Sequence, residues 1–118
     1  MLVIKPEDQL RLIKRVKQIL KEIDSSYIDS EDTDNLDTLA FRLKLIISPY
    51  NCFINSWVTT DYGGTYGCAE CYNTADYIEE EDDTWELMIA ESEPMVIVMS
   101  FKWLADRGYL TPETKGQR

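Results

Sequence analysis

Between Leu45 and Phe101 the chain has no lysine, arginine or histidine, although it carries eleven carboxylates there. Phosphate backbones and anionic lipid surfaces are repelled by such a stretch, and basic proteins or cations are attracted. Histidine is absent from all 118 residues, which removes the usual base of Ser-His and Cys-His catalysis. No glycine loop followed by Lys-Ser/Thr is present to cradle phosphate, and no acid cluster has the alternating ligands and glycine of a calcium loop. The longest apolar run, Met95 to Met99, is far short of the ~20 residues that span a bilayer. The first residues, Met-Leu-Val-Ile-Lys-Pro, lack the regions of a secretory signal. The three cysteines cannot all pair within one chain, and a reducing cytoplasm is the expected compartment. An enzyme is not expected, and neither is a cofactor.

What is present suits one small domain spanning 1–118, with 111–118 as a loose tail. Its hydrophobic share of 44% is ordinary, so a core is expected despite a formal charge of -10. Pro6-Glu7-Asp8 opens a helix predicted over 6–24, where Leu10, Ile13, Val16, Leu20 and Ile23 recur at helical steps. Segment 25–32 reads as a polar connection. A second helix is expected from an N-cap at Thr33 or Asp34 through Ile47, ended by Pro49. Residues 52–60 and 65–72 suit a hairpin around Asp61-Tyr62-Gly63-Gly64. Asp83 and Glu86 resemble a capping box, which predicts a short helix over 84–91. Ser92-Glu93-Pro94 starts a last helix that Gly108 would end. The competing reading makes 95–101 a buried strand in a second hairpin spanning 85–101. The fold class is therefore α+β: two N-terminal helices, a central hairpin or small antiparallel sheet, and a C-terminal helix.

Charge is unevenly divided. Residues 1–23 sum to +3, 24–41 to -6, 61–93 to -11 and 94–118 to +2, so a basic first helix adjoins an acidic body. The uncharged segment 45–60 reads as buried and 61–93 as surface. The candidate partner-binding residues are Asp61, Tyr62, Tyr66, Glu70, Tyr72, Asp76, Tyr77, Glu79, Glu80, Glu81, Asp82, Asp83 and Glu86. Tyrosine supplies large, stiff contact area with a polar tip, and rings beside carboxylates suit arginine through stacking and charge pairing. The bland alternatives are that the acids form a solvated face and that the rings cover a small sheet. Trp57, Trp85 and Trp103 read as core.

Cys68-Ala-Glu-Cys71 is a C-x-x-C, able to aim two sulfurs at one metal where the backbone turns. Cys52 with Glu70 or Asp61 would complete an unusual site, and two such motifs meeting across a homodimer a more orthodox one. No motif assigns a family. In composition alone, the chain is similar to small phage or mobile-element inhibitors that block nucleic-acid-handling defence proteins. That similarity implies an anti-CRISPR-like nucleic-acid mimic in a host cytosol, occupying the basic surface of a nuclease or CRISPR-type effector. Direct nucleic-acid and membrane binding are not expected. The alternatives are a zinc-stabilised or thiol-active dimer, and a subunit that docks into a larger assembly through helix 6–24.

Overall fold

A computed structural model describes residues 2–27, 35–61 and 63–112. Among the described residues, three helices lie to one side of a mixed four-stranded sheet, which makes an α+β fold. The strands are β1 (Leu2–Val3), β2 (Cys52–Asp61), β3 (Gly64–Asn73) and β4 (Trp85–Ala90), and the helices α1 (Gln9–Ile23), α2 (Leu36–Ile46) and α3 (Glu93–Asp106). Strand order across the sheet is β1-β4-β3-β2, with β1 parallel to β4 and the other pairs antiparallel. The molecule is correspondingly flat, 43 × 43 × 20 Å.

Pro6–Asp8 form a 3-10 turn that leads into α1, which buries Val16, Ile19 and Leu20. The second helix starts later than expected, because Asn35 is the N-cap and accepts from the Thr38 amide at 2.8 Å. Thr33 and Asp34 lie outside the described residues. The predicted hairpin is present and slightly longer, in one-to-one register from Cys52↔Asn73 to Asp61↔Gly64. The turn joining its strands places Gly63 at φ +130°, a conformation that favours glycine.

Two expectations fail at the last elements. Residues 84–91 are not a helix: a 3-10 turn at Asp82–Thr84 leads into β4, and Asp83 caps nothing among the described residues. Trp85, Leu87 and Ile89 alternate with Glu86, Met88 and Ala90, and because most of both sets is apolar the strand period is masked. The second-hairpin alternative places its first arm correctly, since 85–90 is β4, but its second arm fails: 95–101 is helical. Ser92 caps α3 through the Met95 amide, and Gly108 follows the helix at φ +80°. Met95 to Phe101 are all buried because α3 is wedged between the sheet and the other two helices, which explains a helix apolar all round. Beneath it the sheet is floored by small residues: Ser56, Gly67, Ala69 and Ala90. At Gly67 the approach is extreme, since a Cβ would lie 2.2 Å from the Ser92 carbonyl carbon.

Candidate docking face

Side chains alternate along a strand, so one parity of β2, β3 and β4 serves the core and the other forms the face that no described helix covers. The registers set three rows on that open face: Phe53, Asn55 and Trp57; Tyr72, Glu70 and Cys68; and Trp85, Leu87 and Ile89. Glu70 stands at the centre of this grid, opposite Asn55 on one side and Leu87 on the other. It is exposed, and its side chain makes no hydrogen bond or ion pair among the described residues. Around it, Phe53 is 46% and Trp57 40% exposed. These values correct the reading of 45–60 as buried; Leu45 and Val58 are also exposed. None of the three tryptophans is fully core: Trp85 and Trp103 are half-buried, and the Arg107 guanidinium lies 4.6 Å above the Trp103 ring.

At one end of the grid the rings stack. Phe53 lies 5.8 Å from Tyr72, and Tyr77 closes on Tyr72 at 4.4 Å between centroids. Tyr77 belongs to the β3–β4 connection, which therefore folds towards the open face. That connection holds the five consecutive acids, Glu79 to Asp83, and it is tied down rather than loose. The Thr84 hydroxyl accepts from the Ile78 amide and lies 2.9 and 2.8 Å from the Ile78 and Glu81 carbonyls. The Trp85 indole donates to the Glu79 carbonyl at 3.2 Å. The Tyr77 phenol is raised above its ordinary pKa by desolvation, then by the negative charges of Glu79, Glu70 and Glu80.

The sequence-derived set is only partly gathered. Tyr66, Glu70 and Tyr72 lie on the open face of β3, and Tyr77, Glu79 and Glu80 beside it. Glu81, Asp82 and Asp83 are exposed on the same connection. Asp76 departs, because its carboxylate accepts from the Tyr109 hydroxyl at 2.7 Å, beyond the end of α3. Glu86 shares the parity of buried Met88 and so belongs to the helix side of β4. The expected single row of carboxylates is therefore split. Tyr62 and the side chain of Asp61 lie outside the described residues. Sequence reading missed Phe53, Trp57, Trp85, Leu87 and Ile89 as site residues; once β4 is read as a strand, its period of two would have found three of them.

The C-x-x-C does not form a site. Residues three apart on a straight strand point to opposite faces, so Cys68 sits on the open side between Trp57 and Ile89 while Cys71 faces the core. All three thiols are free and buried, and no group of acids and cysteines suited to a metal occurs among the described residues. Burial pushes the Cys52 thiol up to about 11 and Cys71 up to about 12, so both stay protonated and inert at neutral pH.

Protein-family models, curated proteins and solved structures were each compared with the chain, and none matches. Among the described residues no helix is long and apolar enough to cross a membrane.

Proposed function

We propose that this chain is a binding protein without turnover, an inhibitor or adaptor whose open sheet face docks on a basic surface of a partner protein. The observation that carries the reading is Glu70, unpaired among the described residues at the centre of an apolar, aromatic face. The three strands that build the face contain no basic residue. A carboxylate so placed suits an incoming arginine. The guanidinium stacks on the Tyr72–Tyr77 pair and forks onto Glu70, while Glu79 and Glu80 add field. Phe53, Trp57, Trp85 and Leu87 supply the apolar centre of such an interface, and Glu81 to Asp83 its charged rim. A partner surface rich in arginine is commonly one that also holds nucleic acid, so competition with nucleic acid on a nuclease or CRISPR-type effector is the form of inhibition that fits.

The test is capture from host lysate at low and high salt with three baits: wild type, Glu70→Lys with Leu87→Lys, and a loop variant reversing Glu79, Glu80, Asp82 and Asp83 to lysine. The reading expects a basic protein retained by wild type at low salt and lost from both variants, each still folded by circular dichroism. Retention of the same protein by the Glu70→Lys, Leu87→Lys bait contradicts it.

A further inference from the structure

β2 is an edge strand, and it lacks the devices that normally keep an edge from pairing. It is ten residues long and in unbroken register with β3, so no bulge bends it away. It contains no proline and no lysine, and Cys52 to Thr60 carries no charge of either sign. Among the described residues, no strand pairs its outer edge. Apolar groups flank that edge in both layers. On the helix side Val58 is 55% exposed, and α2 turns Phe41 (66%) and Leu45 (61%) outward. Lys44, next to them on α2, reaches the Ser56 hydroxyl of β2 at 2.9 Å, which places this helix beside the same edge. On the open side stand Phe53 and Trp57.

From this we infer that β2 pairs antiparallel with β2 of a second copy, joining the two sheets into one across a two-fold axis. A second copy is the occupant because the edge is neutral. Two chains of charge -10 repel through their loops, and the uncharged strand is where they can meet closely, because the one carboxylate bonded to it, Glu93 at 2.7 Å from the Ser56 hydroxyl, is balanced by Lys44 at 2.9 Å from the same hydroxyl. A basic partner, by contrast, finds no countercharge along Cys52 to Thr60. Opposed residues of an antiparallel pair share a face, so the axis falls on a residue, Ser56 or Trp57, and not between two. Backbone hydrogen bonds supply the pairing, and Val58, Phe41 and Leu45 come under cover beside it. The two open faces then lie side by side as one doubled docking surface. This assembly does not depend on what docks there.

Light scattering coupled to size exclusion, at about 100 μM protein to favour even a weak dimer, tests the inference with wild type, Val58→Lys, Phe41→Lys and Leu87→Lys. The expected result is a mass twice the 13.7 kDa of the chain for wild type and Leu87→Lys. Val58→Lys and Phe41→Lys should both run as monomers that stay folded by circular dichroism, with a thermal transition that no longer rises with protein concentration as it does in wild type, since all three sites are exposed or half-exposed. Amide exchange supplies a readout independent of mass: alternate amides of β2 should lose protection in Val58→Lys, and only there and in Phe41→Lys. A monomeric wild type overturns the inference. So does a dimer that survives Val58→Lys and dissociates with Leu87→Lys, which would assign the contact to the open faces.

Discussion

Gly67 shows how one residue can govern the stacking of two layers. The chain at Ser92 and Glu93 lies directly on it, with the Glu93 nitrogen 2.5 Å from the site of an added Cβ. The obstacle is backbone and cannot rotate away. Gly67→Ala should therefore destabilise the fold by about 2–3 kcal/mol, measured by chemical denaturation, although alanine is the mildest of changes. Nothing in the sequence marks Gly67 apart from Gly63 and Gly64, whose role as a turn is plain from Asp-Tyr-Gly-Gly. Its importance comes from the distant start of α3. The thiols make a second prediction. Cys52 and Cys71, ordinarily titrating at 9.0, are held protonated by burial up to about 11 and about 12. The unfolded chain therefore ionises first as pH rises. The stability these neutral thiols contribute is fully present below pH 9 and should decline from there through 11 to 12, as read from denaturation midpoints. Alkylation of either thiol at neutral pH should proceed only as fast as the protein opens.

At the scale of elements, the β3–β4 connection allows geometry to be separated from charge. Thr84→Val removes the hydroxyl that gathers Ile78 and Glu81 but leaves every carboxylate in place. If the loop must be held beside Tyr77, partner affinity should fall several-fold with no change in its salt dependence, as seen by titration calorimetry. The α1–α2 junction is a purely structural counterpart. Asp24 accepts two hydrogen bonds from Arg42, at 3.0 and 2.8 Å, while Arg42 covers the Tyr27 ring. Its carboxyl is held below 3.8 first by the Ser26 hydroxyl and then by Arg42, so this contribution is fully present above 3.8, declines below it and is lost as pH falls through the lowered folded value. Asp24→Asn should cost about 1–2 kcal/mol at pH 7 and progressively less as pH falls below 3.8, without touching partner binding. Helix α1 and the hairpin were legible because each displays one period bounded by clear signals: Pro6 before a helical stripe, and Gly63-Gly64 between β-branched runs. β4 was not legible. Its outward residues, Trp85, Leu87 and Ile89, are apolar although no described helix covers them, while Glu86 lies on the inward side, so the strand shows no clean alternation of apolar and polar. Two-residue β1 is too short to show any period.

For the whole molecule, the acidic composition marks a broad stretch of chain, and the fold divides it. The charged run from Glu79 to Asp83 is the most visible feature of the sequence, and in the fold it rims an apolar surface centred on Glu70, a lone acid between Ala69 and Cys71. Tyrosines 66, 72 and 77 could be singled out in advance as candidates. Their union with Phe53 and Trp57 arises from strand register across the sheet, which local patterns do not encode. Partner binding should weaken steeply between low and physiological salt, because the rim acts at a range that salt screens. The apolar centre should leave a residual affinity that salt does not remove.

The most direct test of the account is a proton–nitrogen NMR titration with an end-blocked Leu-Arg-Leu peptide and its Leu-Lys-Leu counterpart, on wild type and Glu70→Gln. The account predicts shifts confined to Tyr72, Tyr77, Glu70 and their neighbours Phe53, Trp57, Trp85 and Leu87. They should be larger for arginine than for lysine, and lost in Glu70→Gln. Shifts scattered along Glu79 to Asp83 alone, or an arginine response that survives Glu70→Gln, would contradict it.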